Sequence, residues 1–200
     1  ARAEVQAGGT PVTLAAGDLV INGIDILGAT TAGDNRTETV ALTTLTNQKG
    51  ASGVAMAAAI NAVSDLTGVT ATANPVETAG VITTVAGTGL KSIFINGIEI
   101  KVDFGVSSPA QTASERVAAV VAAVNPQVGA TGVVATANPQ GGVTLKTEDG
   151  RNLSIYIDDT SGGPTAANFG LAASDGTTEV AGVSLKSVTA PNAISKAATL

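Results

Sequence analysis

Hydrophobic positions in this chain follow two rhythms: alternation in short runs, and a three-to-four spacing in two alanine-rich stretches. The clearest alternating run is Leu19-Val-Ile-Asn-Gly-Ile-Asp-Ile26, which returns as Ile93-Phe-Ile-Asn-Gly-Ile-Glu-Ile100. In both, branched aliphatics lead into Asn-Gly and leave it in mirror order. Asn-Gly accepts positive φ at both central positions of a type I′ turn, whose twist matches two paired antiparallel strands. Each run therefore predicts a tight hairpin, turning at Asn22-Gly23 and at Asn96-Gly97. Ile21 then faces Ile24 and Leu19 faces Ile26, while Ile95 faces Ile98, Ile93 faces Ile100 and Lys91 faces Val102. Counting by two puts these aliphatics on a core face and sets Val20 with Asp25, or Phe94 with Glu99, on a wetter one.

The three-to-four spacing predicts a helix over 51–66, capped by Ser52, with Met56, Ala59, Ile60 and Val63 on the buried stripe and Gly68 at its end. Residues 69–73 then read as a strand stopped by Asn74-Pro75, with 81–85 as its partner. The second copy repeats the plan after a break at 105–109. Thr112-Ala-Ser-Glu115 has the form of a capping box, with Ser108-Pro109 as a rival start. Val117, Val120, Val121 and Val124 make the stripe, and Asn125-Pro126 closes the helix. This stripe reads as core rather than as a partner groove. Paired strands follow at 133–137 and 143–146, either side of Asn138-Pro139. Outside these modules the pattern gives a short strand at 12–14, a polar loop at 28–36 and an edge strand at 37–45. It also gives a turn at 148–152, a strand at 153–157, a loop at 158–164, a plug at Phe169-Gly-Leu171, and a last strand at 180–188 running back beside the N-terminal segment.

Asn22 and Asn96 are 74 positions apart, whereas Ile60-Asn61 and Val124-Asn125, and the two Asn-Pro pairs at 74 and 138, are 64 apart. The first copy thus carries about ten extra residues between hairpin and helix, a difference that surface loops tolerate. The expected fold class is α+β, built from two repeated hairpin–helix–two-strand (ββαββ) modules with antiparallel sheets, each backed by one helix. The expected division is 1–86 for the first module with its lead-in, 87–158 for the second, and 159–200 for a C-terminal loop and return strand.

Composition narrows the chemistry. The chain has 200 residues, is 44% hydrophobic with mean hydropathy +0.34, and has only 2% aromatic residues, so its cores are sums of many small alanine and valine contributions. It has no cysteine and no histidine, which removes disulfides, thiolate chemistry, ordinary zinc sites and His-based triads. Net charge is −6, and the ten Lys and Arg are scattered, which argues against nucleic acid and membrane as partners. No apolar run reaches the ~20 residues of a membrane span, and the first residues have no signal-peptide shape.

No catalytic, cofactor or metal residue is expected. Gly87-Thr-Gly-Leu-Lys-Ser92 lacks the Gly-Lys-Ser adjacency of a phosphate loop and leads into a strand, not a helix. Asp103, Glu148-Asp149 and Asp158-Asp159 lack EF-hand spacing, and read as wet loops sooner than as a calcium site or a glycosidase pair. Asn35-Arg-Thr37 and Asn152-Leu-Ser154 fit the N-glycosylation pattern, although the many Ser and Thr make O-linked glycans the better expectation. The singled-out site is structural: the turn motif Asn22, Gly23, Asn96 and Gly97.

The doubled Ile-Asn-Gly-Ile, the Ala-rich helix with Ile60-Asn61-Ala62, the Gly-Val-Thr-Ala-Thr-Ala run at 68–73 and Glu-Asp-Gly-Arg-Asn at 148–152 resemble the "IN" motif of bacterial flagellins and flagellar hook-associated proteins. The motif belongs to the variable, outward-facing part of those proteins, and the resemblance covers residues 14–157. It implies an extracellular, non-enzymatic structural protein of the bacterial flagellum, exported without a cleaved signal peptide and contacting neighbouring flagellar subunits. The long heptad-bearing terminal helices of such proteins have no counterpart in the first 18 or last 40 residues, which suggests an outer region lacking the polymerisation core, monomeric alone. The alternative expectation is an extracellular adhesin or glycan-binding module, using the polar loops at 27–50 and 158–179.

Overall fold

The computed structural model describes residues 2–5, 13–36, 49–157, 163–172, 177–179 and 183–187. The fold is α+β, with helices packed on three antiparallel sheets of three or four strands and a separate two-stranded ribbon. Strand β1 (Arg2–Val5) precedes the ribbon, in which β2 (Val20–Ile21) and β3 (Ile24–Asp25) pair Ile21 with Ile24 and Val20 with Asp25. One step further out, Ile26 N donates to Leu19 O at 2.9 Å. The second hairpin has the same register over a longer ladder.

Helix α1 (Gly53–Asn61) starts at Ser52, whose hydroxyl accepts from Ala55 N at 3.1 Å. The single helix expected over 51–66 is in fact broken: a 3-10 turn at Lys49–Ala51 leads in, α1 stops at Asn61, and a short α2 (Ser64–Thr67) ends at Gly68 in the left-handed conformation. Strands β4 (Val69–Ala73), β5 (Val76–Ala79), β6 (Leu90–Ile95) and β7 (Ile98–Asp103) follow. In the hairpin β6–β7, Ile95 pairs with Ile98, Ile93 with Ile100 and Lys91 with Val102.

Helix α3 (Ala113–Val124) begins at the capping box and not at Ser108-Pro109: Glu115 N donates to Thr112 Oγ1 at 3.3 Å, and Thr112 N donates to Glu115 Oε2 at 2.7 Å. Its end repeats that of α1, with a 3-10 turn at Asn125–Gln127 and a short α4 (Val128–Thr131) closed by left-handed Gly132. Pro126 has no N–H to continue the second helix, but position 62 in the first copy is alanine. The element common to both breaks is the asparagine at the helix end.

The second half closes with β8 (Val133–Ala137), β9 (Val143–Thr147), β10 (Leu153–Ile157), the one-turn α5 (Ala166–Phe169), β11 (Thr177–Glu179) and β12 (Val183–Ser187). Strands β8 and β9 pair with Ala135 opposite Leu145. The first copy departs from the expected pairing. Residues 81–85 form no strand, and β4 pairs instead with β12, which lies between β4 and β1. The return of the last strand beside the N-terminal segment is thus present over 183–187. After Asn74-Pro75 the chain crosses to the other half as β5 and pairs with β9, Thr78 opposite Leu145. The sheets read β1-β12-β4, β5-β9-β8 and β11-β10-β6-β7, so the repeated order of elements is woven into shared sheets. Of the strand expected at 12–14, residue 12 lies outside the described residues and 13–14 are irregular, although Leu14 is buried. The edge strand expected at 37–45 also lies outside them.

Among the described residues two apolar clusters fill the interior. One joins Leu14, Leu19, Ile21 and Ile26 to Met56 and Ile60, and Val69 closes it. The larger runs from Val76 through the second hairpin and α3 to Phe169 and Leu171, the expected plug. Within it three chain segments pass in backbone contact: Gly80 N donates to Val143 O at 3.0 Å and Val143 N donates to Gly170 O at 2.9 Å. A Cβ on Gly80 would lie 2.2 Å from the carbonyl carbon of Leu171, and one on Gly142 2.1 Å from Gly80 O. Backbone cannot retreat as a side chain does, so Gly80→Ala and Gly142→Ala are expected to cost about 1–3 kcal/mol each. Urea denaturation measures this, with Gly129→Ala, where a Cβ meets nothing within 4 Å, as the tolerant control.

Candidate functional site

The turn motif sits at the same place in both halves. Asn22 and Gly23 have φ of 52° and 81°, and Asn96 and Gly97 have 45° and 81°, the left-handed values of a type I′ turn. The turn aims each asparagine amide at the end of the short helix of its own copy. Asn22 Nδ2 donates to Thr67 O at 2.7 Å, and Asn96 Nδ2 donates to Thr131 O at 2.8 Å. The last carbonyls of a helix lack partners within it, so this bond supplies one and ties hairpin to helix. The threonines contribute again, as Val69 N donates to Thr67 Oγ1 at 3.2 Å and Val133 N to Thr131 Oγ1 at 3.1 Å.

A second asparagine completes each unit. Asn61 Oδ1 accepts from Ala71 N at 2.7 Å while its Nδ2 donates to Ala71 O at 2.9 Å; Asn125 does the same to Ala135, at 2.9 and 3.1 Å. The primary amide presents the donor and acceptor of a peptide group, so it pairs both free backbone groups of a residue on an edge strand. Among the described residues strands β4 and β8 are edges of their sheets, and their ladders are blunted at these points. The 64-residue spacing of Ile60-Asn61 and Val124-Asn125 marked these asparagines as a register, but their role was not legible from it.

The hairpins differ in what surrounds them. The first is a ribbon of two residues per strand, with Asn22 partly exposed and Gly23 exposed. The second is flanked by β10, which pairs Ile155 with Ile95 and Tyr156 with Phe94. Asn96 N donates to Ser154 O at 2.9 Å, Ser154 N donates to Asn96 Oδ1 at 2.8 Å, and Asn96 is 3% exposed.

The helices also present matching grooves. Val54, Ala57, Ala58, Asn61 and Ala73 line the first; their counterparts Ala118, Val121, Ala122, Asn125 and Ala137 line the second. In the first copy a loop and a turn crowd the groove. Gly33 lies so close that a Cβ on it would be 3.2 Å from Ala58 Cβ, one on Gly150 would be 2.2 Å from Ala73 Cβ, and Arg36 Nη1 donates to Asp149 O at 2.7 Å. In the second copy the groove is an open cleft of about 680 Å³. Val121, expected on the buried stripe, is only partly buried and looks into it, whereas Val117, Val120 and Val124 are buried.

Arg116, a charged residue on a helix whose apolar pattern gives it no special place, is 1% exposed. Its guanidinium lies 3.4 Å from the Phe104 ring centroid and donates to Gln111 Oε1 at 2.7 Å and Ala86 O at 3.1 Å, with longer bonds to Gly87, Phe104 and Asn168 carbonyls. No carboxylate is among these partners, and burial pushes its pKa below the ordinary arginine value. Arginine's planar fork suits it to bonding several carbonyls while stacked on a ring.

The remaining candidates have local partners. Glu148 pairs with Lys146 and Asp149 with Arg151, both at 2.8 Å. Burial pushes the Asp149 carboxyl up, but the hydrogen bonds and charge of Arg151 outweigh it and hold it below the ordinary range. Asp103 accepts from Gly105 N at 2.8 Å, and Gly87 and Gly89 form the left-handed lead-in to β6. Asn152 is 1% exposed, so its N-glycosylation pattern is inaccessible in the fold, while Asn35 is exposed. Asp158 and Asp159 lie outside the described residues, and among those described no three His, Cys, Asp or Glu side chains gather as metal ligands. No protein-family model matches the chain, and no curated protein matches its sequence.

Asn61→Ala and Asn125→Ala each leave a backbone donor and acceptor unpaired, and are expected to cost about 1–3 kcal/mol in urea denaturation. Each also frees a strand edge, so the variants should self-associate more strongly in sedimentation than the parent chain. The capping box carries a pH signature. Hydrogen bonds from the Thr112 backbone and hydroxyl hold the Glu115 carboxyl below its ordinary value. A depressed folded pKa gives stability that is full above the unfolded value of about 4.3 and is lost as pH falls through the folded value. Glu115→Gln should therefore lower Tm at neutral pH and flatten its decline across the acid range.

Proposed function

We propose that this chain is a passive structural module, the surface-exposed outer part of a bacterial flagellar filament protein or hook-associated protein. The observation that carries the reading is the repeated Ile-Asn-Gly-Ile hairpin, whose asparagine ties it to the end of the following helix in both copies. The resemblance of residues 14–157 to the IN motif of flagellar outer domains rests on that same unit. A scaffold role also accords with a chain whose turn and helix-end asparagines bond its own backbone, and whose residues include no histidine or cysteine. In this reading the module is extracellular, does no chemistry, needs no cofactor, contacts neighbouring subunits through other parts of the assembly, and offers Ser and Thr for O-linked glycans.

Antibodies raised against the purified chain, used for immunogold microscopy of cells that express it, test this directly. Gold along the filaments supports a flagellin, and gold confined to the filament base or tip supports a hook-associated protein. Gold on the cell wall with bare filaments overturns the flagellar reading. Binding of the chain to a glycan array would then favour the adhesin alternative.

A further inference from the structure

The two hairpins share the sequence Ile-Asn-Gly-Ile, the peptide context in which asparagine most readily cyclises, because glycine leaves the attacking amide unhindered. In that reaction the main-chain nitrogen of the glycine, having lost its proton, bonds to the asparagine Cγ. The Cγ–Nδ2 bond breaks and ammonia leaves, giving a five-membered succinimide. Water then opens either carbonyl of the ring to aspartate or isoaspartate, so that one water is consumed for each ammonia released. Bringing Gly N onto Cγ requires the turn to open. The bonds that each asparagine holds therefore set its rate.

We propose that Asn22 is the chain's site of spontaneous deamidation and isoaspartate formation, and that the fold protects Asn96 in the same local sequence. Asn22 must release its bond to Thr67 O within a two-stranded ribbon that no third strand flanks among the described residues, beside an exposed Gly23. A two-stranded ribbon has fewer ladder bonds to break on opening than a hairpin built into a larger sheet. Asn96 must release its bond to Thr131 O and, in addition, both bonds to Ser154 of β10. It lies buried at the turn of a hairpin that belongs to a four-stranded sheet. The product at position 22 cannot donate to Thr67 O, and its carboxylate would face that carbonyl oxygen. Modification therefore undoes the tie between the first hairpin and its helix while leaving the second tie intact.

The test is ageing of the full chain in mildly alkaline buffer, native and in concentrated urea, with peptide mapping by mass spectrometry of the segments holding Asn22 and Asn96. In urea the two sites are expected to convert at matching rates, because their neighbours on both sides are the same. In the native chain Asn22 should accumulate aspartate and isoaspartate, with Asn96 at least about tenfold slower, the factor that about 1.4 kcal/mol of extra opening cost imposes. Equal native rates overturn the proposal. So does a native Asn22 that stays unmodified while the unfolded chain converts at both positions, since its turn would then be as closed as the other.

Discussion

The final carbonyls of a helix point out of its end without partners, and in this protein an asparagine amide in a left-handed turn answers one of them. Asn22 to Thr67 O and Asn96 to Thr131 O are single hydrogen bonds, yet each joins elements distant in sequence. The positive φ of the turn matters for more than the hairpin, because it fixes where the amide points. With hairpin and helix end fastened, Asn61 or Asn125 holds the strand that follows, and hairpin, helix and strand become one unit. Polar bonds of this kind suit a chain whose apolar side chains are mostly small. Alanine contributes little buried area and leaves the angle between elements loosely determined, whereas an amide pairing two backbone groups fixes it.

The second half carries the heavier packing. All three phenylalanines and the tyrosine lie there, in two contacting pairs: Phe104 with Phe169 at 4.8 Å inside, and Phe94 with Tyr156 at 5.8 Å on the outer face of the sheet. Arg116 closes the inner pair to water, its guanidinium over Phe104 and its donors spent on carbonyls. At the equivalent position of the first copy, Ser52 is buried as a helix cap. The register position that caps α1 thus lies one turn inside α3, whose own start is the Thr112 capping box, and there it carries an arginine surrounded by backbone carbonyls.

What could be read from the sequence was local. Asn-Gly between mirrored aliphatics fixes turn type and register, and every facing pair expected along the second hairpin from Lys91–Val102 to Ile95–Ile98 is present. Ser52 and Thr112 cap their helices because the spacing of donor and acceptor within one turn is set by the helix itself. Apart from the break in the helix expected over 51–66 and the irregular backbone at 13–14, the misses are long-range. Nothing in Val81 to Val85 distinguishes a strand from an apolar segment lying across a core, and the partners of β4 and β5 lie more than sixty residues away. Arg116 stands on a helix whose pattern reads as ordinary, and its burial follows from a phenylalanine and a loop brought in from elsewhere. The asparagine pairs at the helix ends were visible as a repeat, but only the approach of the strand gives them their function.

Near-identity of sequence does not carry over to identity of surroundings, and the grooves show why. The faces of α1 and α3 are lined by equivalent small residues, yet only the first is crowded, by the Thr31–Gly33 loop and by the Asp149-Gly150 turn from the other half. That loop lies in the stretch where the first copy exceeds the second in length, and the turn reaches Ala73 because β5 has crossed over to pair with β9. Insertion and strand exchange thus act together to narrow the groove of one copy, to about 330 Å³, and leave the other wider at about 680 Å³. The same asymmetry appears at the hairpins with the sense reversed, since β10 covers Asn96 and leaves Asn22 partly exposed. A duplicated unit in one chain cannot keep both copies equivalent, because each meets a different remainder of the molecule, and the shared motif is preserved only in the bonds it makes within itself.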